Sequence, residues 1–463
     1  MELLLKNPYI RRGLLLLLFL SFLPLTGCTI PFINKQVCLP AWLPLVGGNC
    51  DLVTEPNEIV LTYWGLWESP EVIQPLIDKY EKENPHITIN YQLREIDDYY
   101  KTLRSHLETD LAPDIVRVHN TWVPLLLANL SAIPDEVMTT SAYEQTFYPV
   151  TRETLLAKGK YYAVPLGIDN LALVYNTALY QQAGILKPPE TWTEFNETAK
   201  ILTHRDEDNE IIQAGAALGY SGGIEHFSDI VGLIMAQNGV DFIDKDGKVT
   251  LHKTFSQLSE NLGADALRFY NLYATSRKTW NSSWPSALTS FAQSKTAMVF
   301  VPSFRIFDIL ALNPNLPLAV APIPQLDPTS ANINWATYWV ETVPKNSLHQ
   351  KEAWQFLKFL TEKENLAEFY SLASSTRLFG EAYPRPDMAE ELINHRYLGP
   401  YISQASTCTT WNLADGTHDI YLNDEIKEIF GSLIDKINID ISELEEKLDE
   451  AAEEVQKVLD EAK

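Results

Sequence analysis

The order of hydrophobic and polar positions predicts strands that alternate with helices over the first part of the folded region. Residues 58–63 are apolar and β-branched, 86–92 alternate between apolar and polar, and 114–118 form a third short apolar run. Between these runs, 70–84 and 99–110 repeat apolar residues at helical spacing. This order is typical of an α/β protein in which mainly parallel sheets are flanked by helices.

Further elements follow along the chain. Two strands within 161–176 are interrupted by the polar pair Asp169 and Asn170, and Thr191 with Glu194 forms a capping box that starts a helix. The same patterns predict the remaining elements, which are strands at 297–301 and 335–343, a hairpin at 241–249, a helix at 350–361 and an amphipathic helix at 439–463.

The N-terminus predicts a targeting segment. Three basic residues precede an apolar run at 13–25, which is too short to span a bilayer but is typical of a secretory signal. The run ends in Leu-Thr-Gly-Cys, which resembles the bacterial lipobox, so 1–27 would be removed as a lipoprotein signal peptide and Cys28 lipidated. An uncleaved anchor is the alternative. Both interpretations place the chain outside the cytoplasm at a membrane surface, with 28–57 as a tether.

Three further cysteines remain. Cys38 and Cys50 flank a short segment that contains Pro and Gly, and in an oxidising compartment a disulfide between them would contribute about 3 kcal/mol in the chain-entropy model. Two free thiols in an apolar tether are the alternative. Cys408 has no obvious partner in the sequence.

Composition narrows the classes of function. The chain has 463 residues, enough for two or three domains, and its 61 Asp and Glu against 36 Lys and Arg give a net charge of −25. Such a surface repels a polyanion, which argues against nucleic-acid binding. Nine His and four Cys are few and scattered, so neither a metal site nor a cofactor is predicted. By contrast, 11 Trp and 21 Tyr supply many ring faces.

Aromatic and polar side chains follow the ends of two predicted strands. Trp64 and Trp67 come after the first strand, and His119, Asn120 and Trp122 come after the third. Ligands of open α/β sheets bind beyond the carboxyl ends of strands. These residues are therefore candidates for a binding site, and packing in the core is the alternative role for each ring.

One part of the chain carries short motifs in a specific order. They are Tyr162-Ala163-Val164-Pro165, Leu173-Val174-Tyr175-Asn176, Ala183-Gly184-Ile185 and Pro188-Pro189-Glu190-Thr191-Trp192, supported by Tyr63-Trp64-Gly65-Leu66-Trp67, Ser294-Lys295-Thr296-Ala297-Met298 and Val343-Pro344-Lys345-Asn346-Ser347. With these motifs the chain resembles the extracellular solute-binding proteins of bacterial ATP-driven sugar importers, the family related to maltose-binding protein. The resemblance covers residues 58 to about 365.

The resemblance implies a two-lobed α/β fold of the type 2 periplasmic-binding-protein class, the Venus flytrap. Such proteins bind a ligand in the cleft between lobes that close about a hinge. In this family the chain crosses between the lobes near two elements, here 168–174 and 336–343, so that both lobes are discontinuous. The implied lobes are an N-terminal one of 58–168 and 337–380, and a C-terminal one of 169–336 and 381–463.

Sugar recognition needs flat apolar faces for the C–H side of the ring, and amides or carboxylates for its hydroxyls. The candidate ring faces are Trp64, Trp67, Trp122, Phe304, Trp335, Tyr338, Trp339 and Trp411, and the candidate polar groups are Glu68, His119, Asn120, Asp169, Asn170 and Ser303. Position in the family's motifs implies ligand contact for Asp169 and a stacking role for Phe304. Trp335 and Trp339 share one face of their predicted strand, and Tyr338 lies on the other.

The resemblance thus implies a membrane-tethered receptor, monomeric and without a cofactor, that binds a sugar or oligosaccharide and delivers it to the permease of an ABC importer. A receptor for another polar solute, such as a polyol phosphate or a polyamine, is the alternative among binding proteins. A surface adhesin and a secreted hydrolase remain open from other classes. The hydrolase is considered because Gly219-Tyr220-Ser221-Gly222-Gly223 fits the G-x-S-x-G nucleophile motif.

Overall fold

The computed structural model describes residues 58–251, 261–327 and 331–462. The predicted signal peptide and tether, and with them Cys28, Cys38 and Cys50, lie outside these residues. None of the helices in the described part of the chain combines the length and the apolar character that a bilayer span requires.

The described residues form short strands and helices in alternation. In chain order, the strands are β1 (Ile59–Gly65), β2 (Ile87–Leu93), β3 (Ile115–His119), β4 (Leu156–Ala157), β5 (Lys160–Tyr161), β6 (Val164–Pro165), β7 (Ala172–Asn176), β8 (His204–Arg205), β9 (Ile211–Gln213), β10 (Met298–Val301), β11 (Leu318–Ala321), β12 (Asn334–Trp335), β13 (Trp339–Thr342) and β14 (Cys408–Thr409). The α-helices lie at Pro70–Glu83, Tyr99–Leu107, Val123–Leu126, Thr140–Thr146, Thr151–Leu155, Thr177–Gln182, Trp192–Leu202, Phe227–Gln237, Leu262–Thr275, Ala287–Ala292, Arg305–Leu312, Gln350–Leu360, Lys363–Thr376, Ala389–Leu392, Leu398–Gln404, Asn423–Ile439 and Leu444–Glu461, and 3₁₀-helices at Asn120–Trp122, Leu127–Asn129, Pro386–Met388 and Ala405–Thr407.

The first sheet has the strand order β2-β1-β3-β13-β6. β1 pairs in parallel with β2 and with β3, because a helix carries the chain back between successive strands. β13 comes from a distant part of the chain and runs antiparallel between β3 and β6. Helices cover the sheet, and Tyr63 of β1 contacts Phe356, which in turn contacts Tyr80 of the helix Pro70–Glu83.

The second sheet has the order β10-β7-β11, and both of its pairings are antiparallel. The prediction of mainly parallel sheets is therefore confirmed for β1 to β3 and wrong for this sheet, because hydrophobic periodicity identifies a strand without fixing its direction. Phe300 of β10 packs against Trp192 and Phe195, so the helix Trp192–Leu202 covers one face.

Two extended segments connect these sheets, and the fold is two-lobed with one sheet in each lobe. The crossing segments 166–171 and 336–338 lie side by side, because Asn170 forms a bridge with Ala336 and the Thr337 N–H donates to the Asp169 carbonyl at 3.0 Å. We refer to the first lobe, which holds the sheet of β1, and to the second lobe, which holds the sheet of β7.

The interpretation of 335–343 as one strand is wrong. Trp335 belongs to β12, which pairs with β14, whereas Trp339 begins β13 in the sheet of the first lobe. The chain passes between the lobes at 336–338. The residues there continue the apolar run, so the hydrophobic pattern does not mark the end of one strand and the start of the next. The argument from shared strand parity therefore does not apply to these two tryptophans.

Three smaller predictions can be compared with the structure. Thr191 Oγ1 accepts from the Glu194 N–H at 3.2 Å, which confirms the helix cap. The predicted hairpin at 241–249 is a turn with one bridge, between Ile243 and Val249. The amphipathic helix predicted at 439–463 is confirmed over Leu444–Glu461 and is wrong at its start, since Ile439 ends the preceding helix Asn423–Ile439 and a break follows. The break follows from Asp440 and Ser442, whose local hydrogen bonds compete with the helix.

Candidate ligand-binding cleft

An aromatic cluster of the first lobe lies beside the crossing segments. Trp339 is the first residue of β13, and its ring centroid lies 5.2 Å from those of His119 and Trp122 and 5.9 Å from that of Trp67, all in edge-to-face geometry. His119 and Trp122 are buried, Trp339 is half-buried, and Trp67 is 46% exposed. The cluster therefore presents Trp67 and part of Trp339 as accessible ring faces.

The two tryptophans near the end of β1 differ in environment. Trp64 lies within β1 and is only 6% exposed, with the Arg94 guanidinium 4.3 Å from its ring and the His106 ring 5.0 Å away. Trp67 follows the strand, and its backbone has φ of 70°, in the left-handed region. A bulky residue in this region costs on the order of 1 kcal/mol, and such strain is concentrated at functional positions. Of the pair, Trp67 is the one with an accessible face.

Glu68, which follows Trp67, belongs to a buried network of ion pairs. Its Oε1 accepts from Arg377 Nη2 at 2.7 Å, while Arg117 Nε lies 2.8 Å from Glu341 Oε1 and Arg117 Nη2 lies 3.4 Å from Glu381 Oε2. Three carboxyl groups thus share two guanidinium groups. Burial and the charge of Glu381 raise the pKa of Glu68, and burial raises the pKa of Glu341 to about 7. Glu68 is therefore occupied within the protein, where it holds the turn that carries the neighbouring exposed ring.

His119 and Asn120 bond to the segments that cross between the lobes. His119 Nε2 lies 3.0 Å from Thr337 Oγ1, and burial lowers the pKa of His119 to about 3, so the ring is neutral at pH 7. Asn120 donates through Nδ2 to Thr410 Oγ1 at 3.1 Å and accepts from the Tyr338 N–H at 3.3 Å. Both side chains are buried and lie under the cleft rather than on its surface.

Asp169 and Ser303, two of the predicted polar groups, are brought together at the edge of the second lobe. The Ser303 N–H lies 3.0 Å from both carboxylate oxygens of Asp169, and Ser303 Oγ donates to Oδ2 at 2.8 Å. Burial raises the pKa of Asp169 to about 7, although the hydrogen bonds from Ser303 act in the opposite direction and lower it. The neighbouring Asn170 is buried and donates to the Tyr401 carbonyl at 3.0 Å. Asp169 is half-buried, so it can still meet a ligand.

The wall of the second lobe carries an exposed ring next to a polar cavity. Phe304 follows β10 and is 40% exposed, with the Arg305 guanidinium 4.9 Å from its ring. Arg305 Nε donates to His226 Nε2 at 2.9 Å, and His226 Nδ1 then donates to Asp229 Oδ2 at 2.8 Å. A cavity of about 370 Å³ opens beside this group, lined by Ser221, Gly223, Ile224, Glu225, Phe227, Ser286, Arg305, Asp415, Gly416, His418, Asp424 and Lys427.

A short chain of contacts links the surroundings of the two exposed rings, Trp67 and Phe304. Glu68, next to Trp67, binds Arg377, whose guanidinium lies 5.9 Å from the Phe307 ring. Phe307 is one helical turn after Phe304, and its N–H donates to the Phe304 carbonyl at 3.0 Å. These contacts connect the region around Trp67 in the first lobe with the region around Phe304 in the second lobe.

The remaining predicted aromatic residues have no accessible face. Trp335 is buried, and its indole N–H donates to Asp229 Oδ1 at 2.8 Å. Trp411 is buried and stacks on Phe242 at a centroid distance of 4.9 Å. Tyr338 is buried on the crossing segment. These three rings therefore pack inside the protein.

Sequence reasoning did not name His226, Asp229 and Arg377 as residues of the site. His226 and Asp229 are three residues apart at the start of a helix, but no spacing relates them to Arg305. Arg305 itself carried one signal, its place directly after Phe304. Contacts between residues so far apart in the chain leave no local pattern.

Two further possibilities concern catalysis by Ser221 and a metal site. Ser221 Oγ donates to Asp435 Oδ1 at 2.7 Å, and within the described ranges no histidine bonds to it, as a nucleophile would require. In the same ranges, no three His, Cys, Asp or Glu side chains are grouped so that they could hold a metal ion. Cys408 is a buried free cysteine, and burial raises the pKa of its thiol.

Comparisons with known proteins agree with this geometry. A sequence profile described as bacterial extracellular solute-binding protein matches residues 65–367. A binding protein of Brucella abortus (strain 2308) is 24% identical over 294 residues, which are 63% of this chain and 68% of that protein. The multiple sugar-binding protein of Streptococcus mutans is 22% identical over 312 residues, 66% of this chain and 72% of that protein. The solved structure of the sugar-binding protein MalE from Xanthomonas citri is 17% identical, with a TM-score of 0.69 over 87% of this chain and 98% of that one.

Proposed function

Because this chain belongs to the family of bacterial extracellular solute-binding proteins, we propose that it binds a sugar or oligosaccharide in the cleft and delivers it to the permease of an ABC importer. The relatives from Streptococcus mutans and Xanthomonas citri are both named sugar-binding proteins, which favours this ligand class. The receptor acts as a monomer, needs no cofactor and releases its ligand unchanged.

The observation that carries the proposal is the exposure of two aromatic rings, one in each lobe, whose neighbouring residues are in contact between the lobes. Trp67 is 46% exposed and Phe304 40% exposed, although large aromatic side chains are usually buried. A sugar ring offers apolar C–H faces to such rings, and each stacked face buries area worth ~25 cal/mol per Å². The half-buried Asp169 and the guanidinium of Arg305 lie beside Phe304 and supply hydrogen bonds for hydroxyl groups.

The charges of the cleft favour a neutral ligand over a phosphate. Arg117 is buried and paired with Glu341 and Glu381. Arg305 is paired with Asp308 at 2.9 Å. A phosphate would need several free and convergent cations. A neutral sugar needs only directed donors and acceptors, which this cleft has.

For the lobes, we propose the boundaries that the resemblance implies, with one revision at the last passage. Residues after 380 stay on the first lobe for several positions, since Arg385 Nη1 donates to the Thr361 carbonyl at 3.0 Å and Lys363 lies 3.0 Å from Asp387. These contacts support a return to the second lobe after Asp387 rather than at 381.

The family is extracytoplasmic, and the finer proposal is a lipid anchor at Cys28. The apolar run and the Leu-Thr-Gly-Cys sequence before it support this proposal. A single acyl chain binds a membrane only marginally, so stable attachment requires more than one chain on this residue.

Isothermal titration calorimetry with a panel of neutral oligosaccharides tests the ligand class, with a polyol phosphate and a polyamine in parallel. We expect saturable binding of at least one sugar, a change in intrinsic tryptophan fluorescence, and a sugar that mass spectrometry recovers intact. Cleaved sugar would indicate a hydrolase. Binding confined to the phosphate or the polyamine would replace the sugar receptor with the alternative receptor.

A further inference from the structure

We propose that residues 415–423, here called the tie, connect the two lobes directly and limit how far the cleft opens. The inference rests on the proposed function only in that the lobes move apart and together. The tie lies outside the two crossing segments, and it ends where the helix Asn423–Ile439 begins. Its contacts with each lobe are described in turn.

The first anchor of the tie is on the first lobe. The Trp122 indole N–H donates to Asp419 Oδ2 at 2.8 Å, and Asn423 Nδ2 donates to Thr121 Oγ1 at 2.7 Å. All four side chains are buried. Trp122 and Thr121 directly follow β3, so both bonds hold the tie to the sheet of the first lobe.

The second anchor is on the second lobe. Asp415 Oδ2 accepts from the His226 N–H at 3.0 Å, and Lys427 Nζ lies 2.6 Å from Asp415 Oδ1. The Asp415 N–H donates to Asp229 Oδ2 at 3.2 Å. His226 also accepts from Arg305, so this end of the tie is part of the wall that carries the exposed phenylalanine.

The helix that follows the tie also belongs to the second lobe. Asn271 Nδ2 donates to the Ile437 carbonyl at 3.1 Å, and Ser221 donates to Asp435. The second lobe therefore holds the tie at Asp415 and holds the helix that follows it, and the first lobe holds the tie at Asp419 and Asn423. Separation of the lobes must break the bonds to Trp122 and Thr121.

The length of the tie limits how far it can follow such a movement. Asp415 and Asp419 are four residues apart, which allows at most ~14 Å of fully extended chain. The backbone is in the left-handed region at two non-glycine residues of the tie, His418 and Ile420, with φ of 54° and 51°. Strain of this kind persists where surrounding contacts impose it. The bonds of Asp419 to Trp122 and of Asn423 to Thr121 are therefore the contacts that resist further opening of the cleft.

Small-angle X-ray scattering of the ligand-free protein tests the proposal with W122F and D419A. Both variants remove the Trp122–Asp419 bond, and D419A leaves the contact between Trp122 and Trp339 in place. We expect each to increase the radius of gyration by about 1 Å, from the roughly 22 Å of a compact chain of this length. W354F is the matched control, because the buried Trp354 indole donates to Ser131 Oγ at 2.9 Å within the first lobe. It should lower the melting temperature without expanding the protein.

Scattering curves of W122F and D419A that coincide with the parent curve would overturn the proposal, as would an equal expansion of W354F. If D419A does not fold, the comparison of W122F with W354F decides. No sugar is present in this experiment. A failure of the tie is therefore distinguishable from a failure of the proposed function, which the titrations test.

Discussion

At the scale of single residues, backbone position decides which aromatic side chains can meet a ligand. Trp64 and Trp67 are only three positions apart, yet Trp64 lies inside β1 and packs between Arg94 and His106. Trp67 follows the strand with a positive φ that turns its ring outward. The sequence places both at the end of a strand, but it cannot show which side of the strand each ring takes.

We expect W67A and F304A each to weaken sugar binding by roughly tenfold to a hundredfold, or about 1–3 kcal/mol, because each removes one stacking face. Both should leave the melting temperature nearly unchanged. W64A is the contrasting variant: it empties a packed site and should cost about 3–5 kcal/mol of stability. Calorimetry with a bound sugar and thermal melts of the ligand-free proteins measure the two effects. Parent-like affinity in W67A and F304A would remove these rings from the site.

The buried Glu341 predicts a pH dependence of stability. Burial raises its pKa in the folded protein to about 7, above the ordinary value of 4.5 that the unfolded chain retains. The folded state therefore holds a proton that the unfolded state has lost between these pH values. The free energy of unfolding should fall as pH rises from about 4.5 to about 7, by on the order of 1–3 kcal/mol.

E341Q carries a neutral group at every pH and should lose this part of the dependence. Urea unfolding of the parent and of E341Q at several pH values measures it. E364Q, at an exposed carboxylate paired with Lys79, is the control that should keep the parent's dependence. Identical pH profiles for the parent and E341Q would show that Glu341 does not hold the proton.

At the scale of elements, the helix Phe227–Gln237 shows how the second lobe holds its wall. All of its residues are buried, which is typical of a helix enclosed on every side. Trp335 of β12 lies against Gly232 of this helix and donates to its Asp229. Asp229 also holds His226, and His226 accepts a hydrogen bond from the Arg305 guanidinium beside Phe304. The packing of this helix therefore fixes the position of that guanidinium.

G232A should destabilise the protein by about 1–3 kcal/mol, because an added Cβ would lie 2.5 Å from the Trp335 ring. G222A is the matched control, since a Cβ there meets no atom within 4 Å. Thermal melts of both variants measure the difference. Equal melting temperatures for G232A and G222A would show that the Trp335 site has room to spare.

Most elements could be predicted from the sequence where periodicity was strong and local signals marked the ends. The helix at Pro70–Glu83, the strands β1 to β3 and the cap at Thr191 are of this kind. The direction of β7 and β10, and the division of 335–343 between two lobes, depend on tertiary contacts that no local pattern records. In the site, Asp169 with Ser303 and the exposed Trp67 and Phe304 were named from sequence, whereas the links through Arg377 and His226 were not.

At the scale of the whole molecule, the walls of the cleft are built from residues far apart in the chain. Trp67 and Trp339 meet in the first lobe, and Arg305 meets His226 in the second. A resemblance over residues 58 to about 365 could predict the two-lobed arrangement. It could not predict the contacts that residues 408–423 make with the first lobe, such as those of Thr410 and Asp419. The C-terminal part of this chain therefore has to be analysed on its own contacts.

The proposed lipid anchor predicts where the molecule is held. If Cys28 is the lipidated residue, C28S should abolish lipidation and leave the protein either released from the membrane or with its N-terminal segment uncleaved. Cell fractionation with mass measurement of the N-terminus distinguishes these products. C408S is the control at a buried cysteine and should keep the parent's membrane association. Unchanged processing and association of C28S would show that the apolar run acts as an uncleaved anchor.

The position of β13 sets an order on the folding of the first lobe. This strand lies between β3 and β6, and it takes part in two of the four pairings of the sheet. During synthesis, β1, β2 and β3 are complete long before Trp339–Thr342 leaves the ribosome. Until then β3 keeps an unpaired edge, and non-local pairings of this kind form slowly. A nascent chain shorter than about 340 residues therefore cannot complete this sheet, and both β3 and β6 wait for a partner that is made about 170 residues after β6.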